Sequence, residues 1–419
     1  MRKISSSERP FLPSSAAVPG FPPDHLLKEK MIKRKEHTSR SWKCINTLLN
    51  SAICSYAMGG NTMKKFLLFL LFFPLMALNG CAGEKETEPK PSERPPQTEE
   101  ENDMEVIAKN LRTPWSIEFD GSSFYLSERT GAIVKIAGGK MTRQKLRLEK
   151  ELSSAAEAGV LGFVLHPEKK DAAFLYYTYE EGTNRYNRVV ELRLEKDEWS
   201  EEKVLIDRLP SGPVHHGGRM KNGPDKKLYV TAGDAGQPAN AQDLDSLGGK
   251  ILRMNLDGTI PDDNPFPGSY VYSYGHRNPQ GLAWDENGQL YSTEHGQSAH
   301  DEINEIEPGQ NYGWPIIQGD ETKEGMLPPL FHTGEDTWAP SGIAYKDGML
   351  YVAQLRGEGV IAFDRTKKTF LKIVSGVGRV RDVYILDNDL YLITNNTDGR
   401  GTPAEEDDKM YKIPLPQLR

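Results

Sequence analysis

Arg379 and Arg381 stand two residues apart in GRVRD, so on an extended strand both guanidiniums point to one face. Two cations on one face repel unless an anion lies between them, and the planar guanidinium fork suits a carboxylate or phosphate. Arg277 in GHRNPQG and Arg356 in LRG extend the set, which predicts a pocket for a polyanionic ligand. Surface salt bridges to Asp382 and Glu358 explain any one of these arginines taken singly; the set together favours the pocket. His215 opens the run HHGGR. An imidazole titrates near neutrality and is a natural general base, and Gly217-Gly218 lets the chain approach a ligand closely. His216 competes for the same role. A metal held by the tandem histidines is disfavoured, because adjacent strand residues point to opposite faces. The segment EHGQSAHDEIN, from Glu294 to Asn304, crowds oxygen donors into a loop. Calcium takes six to eight oxygens, backbone carbonyls included, although this spacing is not that of an EF-hand.

These residues are spread along the chain, so a fold must bring them together. One phrase recurs six times: an apolar strand, a polar turn, then an aromatic-rich strand. Its central tyrosines are Tyr125, Tyr176, Tyr229, Tyr291, Tyr351 and Tyr391, spaced by 51, 53, 62, 60 and 40 residues. Short strands joined by DG, NG or ND turns are hairpin signals, and repeats of this length with several strands each indicate propeller blades. The expected fold is all-β, a six-bladed β-propeller of four-stranded antiparallel blades over residues 104–419. Two stacked sandwiches are the alternative, and the even repeat favours the propeller. Residues 105–108 and 409–413 are strand-like runs that could pair within one blade and close the ring. In a propeller, residues entering the first strand of each blade gather at one mouth of the channel. That rule places HHGGR, GHRNPQG, Ala339-Pro340-Ser341-Gly342 and Arg379-Val380-Arg381-Asp382 around one pocket.

The chain has 419 residues and a net charge of -8, which argues against a basic nucleic-acid binder. Cys44, Cys54 and Cys81 are its only cysteines, so a disulfide framework is excluded downstream. Met63-Lys64-Lys65 precedes thirteen uncharged residues, Phe66 to Leu78, a run too short to span a bilayer and consistent with a secretory signal. Leu78-Asn79-Gly80-Cys81 resembles a bacterial lipobox, although Asn79 is unusual there; it predicts lipidation at Cys81 and an extracytoplasmic protein held to the cell membrane by a lipid anchor only. Residues 1–62 read as a mis-assigned upstream start or a disordered extension. Residues 82–103 carry eight acids and four prolines and no apolar residue larger than alanine, the composition of an extended tether.

Taken in order, Gly248-Gly249-Lys250-Ile251-Leu252-Arg253, GHRNPQG, DEIN and NYGWP resemble the soluble PQQ-dependent glucose dehydrogenase and aldose sugar dehydrogenase family, also called glucose/sorbosone dehydrogenases, over nearly all of residues 104–419. The resemblance implies a six-bladed propeller that oxidises aldose sugars at the anomeric carbon to lactones, with PQQ and Ca2+ as cofactors. By residue, it implies His215 as the catalytic base, four positions before Arg219, and Arg277 and Asn278 as cofactor contacts, with Arg277 also polarising the quinone carbonyl. Arg379 and Arg381 match the pair around the cofactor's carboxylates. Gly296 and Gln297 match carbonyl ligands of the cofactor's calcium, and Glu302 with the Tyr312 carbonyl a second, structural calcium site. Arg356 stands where the best-known glucose enzyme has Lys, Val214 where it has an acid before the base, and Gln297 where the family often has Pro. Gln237 and Gln242 are both candidates for the family's substrate-contacting glutamine. The sugar and the electron acceptor remain open, as does a homodimer. A metal-dependent lactonase-like propeller and a non-catalytic glycan- or partner-binding propeller are the rival readings.

Overall fold

A computed structural model of the chain describes residues 104–415; the predicted leader, Cys81 and the tether lie outside the described residues. The described chain is all-β apart from one short helix, α1, Ala239–Gln242. Its 24 strands form five sheets. The largest has eight strands. Four come from β2 (Pro114–Phe119), β3 (Phe124–Glu128), β4 (Ala132–Ala137) and β5 (Lys140–Arg147). The other four are β6 (Val160–Leu165), β7 (Ala172–Glu181), β8 (Asn184–Glu195) and β9 (Glu198–Pro210). Three four-stranded sheets follow in chain order. They are β10 (Met220–Asn222) to β13 (Val271–Tyr274), β14 (Pro279–Trp284) to β17 (Phe331–His332), and β18 (Pro340–Lys346) to β21 (Thr369–Val374). The last sheet joins β22 (Val380–Leu386), β23 (Asp389–Thr394) and β24 (Met410–Pro414) to β1 (Glu105–Ala108).

The all-β expectation holds. Six separate antiparallel blades differ from the structure at one seam: β5 pairs with β9 in parallel, through Lys145–Glu198, Leu146–Trp199 and Arg147–Ser200, and this joins two strand sets into one sheet. The seam uses the first three residues of β9, which pair with β8 on one side and with β5 on the other. The expected terminal pairing is present, with Glu105 opposite Lys412 and Val106 opposite Tyr411. The leading strands β2, β6, β10, β14, β18 and β22 touch one another in that order, and β22 touches β2.

Local chemistry explains this regularity. Two-residue turns close many hairpins with positive φ, as type I′ geometry demands: Gly138-Gly139 at 53° and 74°, and Asp347-Gly348 at 50° and 85°. The six repeat tyrosines all fall on the second strand of a set, each between 0 and 7% exposed. Burying an aromatic of this size stabilises by about 1.5–3 kcal/mol. Tyr176, Met220, Val230 and Leu252 share one apolar cluster, so packing couples consecutive sheets. At the centre Arg219 crosses the ring. Its Nη1 lies 2.8 Å from Asp382 Oδ2, its Nε donates to Gln280 O, and its guanidinium sits 4.2 Å from the Trp115 ring. Asp382 also accepts the Ile117 N–H at 2.9 Å. Thus Asp382 pairs with Arg219 in the interior, not with Arg381 at a surface.

Candidate active site

At one mouth of the ring lies a cavity of about 560 Å3, including its open side. Residues in or flanking all six strand sets line it, among them Trp115, Glu157, His216, Asn278, Leu355 and Arg381. The entry segments HHGGR, GHRNPQG and GRVRD do converge, as the repeat rule expects.

His215 and His216 separate in role. His215 has φ 63°, and its Nδ1 lies 2.7 Å from Asp234 Oδ1. Asp234 is almost fully buried and is itself fixed: Gly236 N donates to Oδ1 at 2.7 Å and Trp314 Nε1 donates to Oδ2 at 2.9 Å. A carboxylate on Nδ1 holds the proton there and leaves Nε2 as the acceptor. His216 is buried with its Nδ1 near Ser211 Oγ and Asn187 Oδ1, and burial pushes its imidazole down to about 4. It stays neutral and is the weaker base. The acid expected beside the base at Val214 is supplied from elsewhere, by Asp234 after β11 (Leu228–Ala232). The Gly217-Gly218 step serves the protein's own packing as well as the cavity. A Cβ at Gly217 would meet Thr231 O at 2.7 Å, and one at Gly218 would meet Leu161 Cδ1 at 2.7 Å.

The arginines do not form simple surface pairs. Arg379 donates from Nη2 to Asp398 at 3.0 Å and from Nη1 to Leu355 O, while its Nε is buried without a partner. Arg381 donates from Nε to Asn395 Oδ1 and from Nη1 to Gln280 Oε1, both at 2.9 Å. Burial pushes Arg381 down to about 9; Asp398 opposes that shift, and Arg129, Arg379 and Arg219 reinforce it. Arg277 lies 5.4 Å from the Trp314 ring centroid, donates from Nη1 to His295 O, and has a buried, unpartnered Nε. Asn278 accepts the Gly217 N–H at 3.1 Å and donates its own N–H to Glu294. Arg356 is exposed, next to the cavity-lining Leu355, and does not itself line the cavity. Buried Nε2 atoms of His216 and His295 add to the polar nitrogens without partners. Such a set fits a small planar polyanion, which would supply the missing acceptors.

Sequence reasoning did not single out Arg129, Glu157, Asp398 or Arg400, which also line the cavity. Arg129, Asp398 and Arg400 lie in turns or strand ends outside the entry segments, whereas Glu157 stands three residues before the leading strand β6, where the entry rule places it. The glycine-flanked acid in Gly233-Asp234-Ala235-Gly236, directly after a buried strand, was the available signal for Asp234. Of the glutamine candidates, Gln242 is committed to Asn311 and to Trp314 O, and Gln237 is exposed.

Beneath Arg277 a smaller recess is lined by Glu294, Gly296 and Glu302. Gln297 is exposed beside it, and the Gly296 N–H donates to Asp301 Oδ1 at 2.9 Å. Burial, Glu294 and Asp301 push the Glu302 carboxyl up to about 8. Tyr312 stacks on His276 with ring centroids 4.8 Å apart. Among the described residues, no three His, Cys, Asp or Glu side chains converge to hold a metal ion. A cation here would therefore rely on carbonyl oxygens, and it would relieve the repulsion around Glu302.

A family model described as glucose/sorbosone dehydrogenase matches residues 111–402. Quinoprotein glucose dehydrogenase B of Acinetobacter calcoaceticus is 33% identical over 284 residues, covering 56% of this chain and 57% of that protein. The match thus spans little more than half the length of that relative. Aldose sugar dehydrogenase YliI of Escherichia coli K12 is 28% identical over 71% of this chain and 91% of its own length. The structure of the PQQ-bound form of an aldose sugar dehydrogenase from Streptomyces coelicolor superposes with a TM-score of 0.70 at 35% identity, covering 74% of this chain and 97% of that one.

Proposed function

The chain belongs to the glucose/sorbosone dehydrogenase family, and from that premise we propose that it is a PQQ- and calcium-dependent aldose sugar dehydrogenase built as six four-stranded propeller blades. One observation carries the reading: a base held by a buried acid, His215–Asp234, stands beside a cavity lined by Arg129, Arg381 and Arg400, and buried nitrogens without partners lie on the lining His216 and His295 and on Arg277 and Arg379 of the entry segments. Arg277, Asn278, Arg379 and Arg381 would hold the carboxylates and carbonyls of PQQ, with Arg356 at the rim. The carbonyls of Gly296 and Gln297 would hold its calcium, and Glu302 with the Tyr312 carbonyl a second calcium. When bound, PQQ supplies a quinone that accepts a hydride. His215 takes the proton of the sugar's anomeric hydroxyl at Nε2, while Asp234 holds the ring and faces the imidazolium that forms. Arg277, partly desolvated and seated on Trp314, places fixed positive charge where negative charge develops. The net change removes a hydride and a proton from the aldose, two electrons and two protons in all, and leaves its lactone.

The lipobox and tether complete the proposal: the enzyme works outside the cytoplasm on a lipid anchor at Cys81. Among the described residues, no helix is long and apolar enough to cross a membrane. The test is calorimetric titration of the chain with PQQ, with and without calcium, followed by a sugar screen with a dye acceptor. Calcium-dependent tight binding and aldose oxidation are expected. Absence of PQQ binding in either condition overturns the assignment.

A further inference from the structure

Glu157 lies 58 residues before His215 in sequence, yet its carboxylate does two jobs at the cavity mouth. Oε2 accepts the His215 backbone N–H at 3.1 Å, and Oε1 accepts from Arg400 Nη2 at 2.5 Å. Arg400 belongs to the turn after β23 that also carries Asp398, whose carboxylate meets Arg379. Glu157 and Arg400 thus bridge two cavity-lining segments 243 residues apart.

Backbone geometry shows why such a bridge is needed. His215 at φ 63° and Glu157 at φ 64° are both left-handed residues with side chains, a conformation that persists only where its surroundings impose it. On one side His215 is held by Asp234, and its carbonyl packs against Gly233, where a Cβ would come within 2.0 Å of it. On the other side its N–H has one acceptor, Glu157. Arg400 is half exposed, at 51%, and Glu157 is 22% exposed, so the latch sits at the solvent edge where it can form and break.

We propose that Glu157 is a positioning residue for the catalytic histidine, with Arg400 as the latch that fixes its carboxylate across the cavity mouth. The role rests on the reading of His215 as the base, but the contact itself does not. Charge on Glu157 keeps it paired with Arg400, and burial alone would not: its carboxyl is held down to about 2, although burial acts to raise it, by Arg400, by the His215 N–H and by His216.

The experiment has two parts and uses the full chain. In the first, without cofactor, amide hydrogen exchange of the peptide carrying His215 is followed by mass spectrometry in wild type, Glu157→Gln, Glu157→Ala, Arg400→Lys and Arg400→Ala. Loss of the hydrogen bond predicts exchange about tenfold faster in Glu157→Ala, with Arg400→Lys near wild type; Glu157→Gln keeps one oxygen for the His215 N–H but sets its NH2 against Arg400, so it and Arg400→Ala should fall between wild type and Glu157→Ala. In the second, with PQQ and an aldose, Glu157→Ala lowers kcat with KM little changed, and Glu157→Gln loses less, because the amide oxygen still accepts the N–H although the latch to Arg400 is lost. Wild-type exchange in Glu157→Ala overturns the proposal. Equal loss of kcat in the Ala and Gln variants also overturns it, since the carboxylate would then act on the substrate itself. If wild type does not bind PQQ, the functional reading fails and the exchange measurement still decides the latch.

Discussion

Replacing Asp234 with Asn tests the catalytic assignment most sharply, because both carboxylate oxygens are already committed. Oδ1 accepts from His215 Nδ1 and Gly236 N, and Oδ2 accepts from Trp314 Nε1. An amide supplies one oxygen only, so either orientation sets an NH2 against an N–H donor. With the oxygen at the Oδ1 position, His215 keeps its tautomer but loses a charge-assisted bond. Bonds of that kind contribute about 1.5–3 kcal/mol, or roughly 10- to 150-fold in rate. With the nitrogen there, Nδ1 must accept, Nε2 carries the proton, and the base is blocked, a loss on the order of 10⁴-fold. Two donors favour the first orientation, so the expected fall in kcat is about 100-fold. The assay is dye-coupled aldose oxidation at saturating PQQ and calcium, with PQQ affinity measured by calorimetry on the same sample. PQQ affinity should hold within a few-fold, since the Asp234 side chain touches none of the proposed cofactor contacts directly and reaches Arg277 only through Trp314. A variant that retains kcat within about threefold of wild type refutes the role of Asp234, and with it the claim that His215 Nε2 is the working atom.

Two further tests concern charge buried elsewhere. Glu302 is pushed up to about 8 by burial, Glu294 and Asp301, while in the unfolded chain it titrates near 4.5. Between those values the folded state holds a proton that the unfolded state has released, so stability falls as pH rises across that window. Thermal unfolding in chelator should show this fall, and calcium or Glu302→Gln should flatten it; identical slopes with and without calcium would rule out Glu302 as a ligand. At the ring centre, Arg219→Ala leaves Asp382 buried with the Ile117 N–H alone. Denaturant unfolding should register a loss of about 3–5 kcal/mol, and Arg219→Met with Asp382→Leu should recover much of it. A loss under about 1 kcal/mol for Arg219→Ala would show that the pair does not tie the ring.

The fold was legible because its signals are local. Tyrosines spaced by roughly one repeat, and DG or GG turns between them, are visible in the sequence, and each tyrosine falls on an equivalent buried strand. The parallel seam between β5 and β9 was not legible, because it pairs Lys145–Arg147 with the first three residues of β9, some 53 positions on, and no local signal marks that meeting. The site divides along the same line. His215, Arg277, Arg379 and Arg381 sit in entry segments that the repeat itself marks. Asp234, Glu157 and Arg400 reach the cavity from turns, and their roles rest on contacts 19, 58 and 243 residues apart. No spacing rule connects residues that meet only when a ring closes.

The same closure accounts for the electrostatics of the cavity. Asp398 is one carboxylate shared between Arg379 at 3.0 Å and Arg381 at 3.9 Å, so it cannot neutralise both. Arg381, pushed down to about 9 by burial and by neighbouring arginines, stands in surroundings that disfavour its charge. A free arginine would turn toward water. Neutral partners help to hold these two: Asn395 and Gln280 on Arg381, and Leu355 O on Arg379 beside its bond to Asp398. Because Gln280 and Leu355 come from other strand sets, the ring fixes the guanidiniums together with Asp398. An incoming polyanion then has no arginines to order; it adds the negative charge that Asp398 alone does not provide. Binding energy that would otherwise go into immobilising long side chains is available for affinity. At the centre the Arg219–Asp382 pair ties the ring, with Arg219 Nη2 left buried and without a partner.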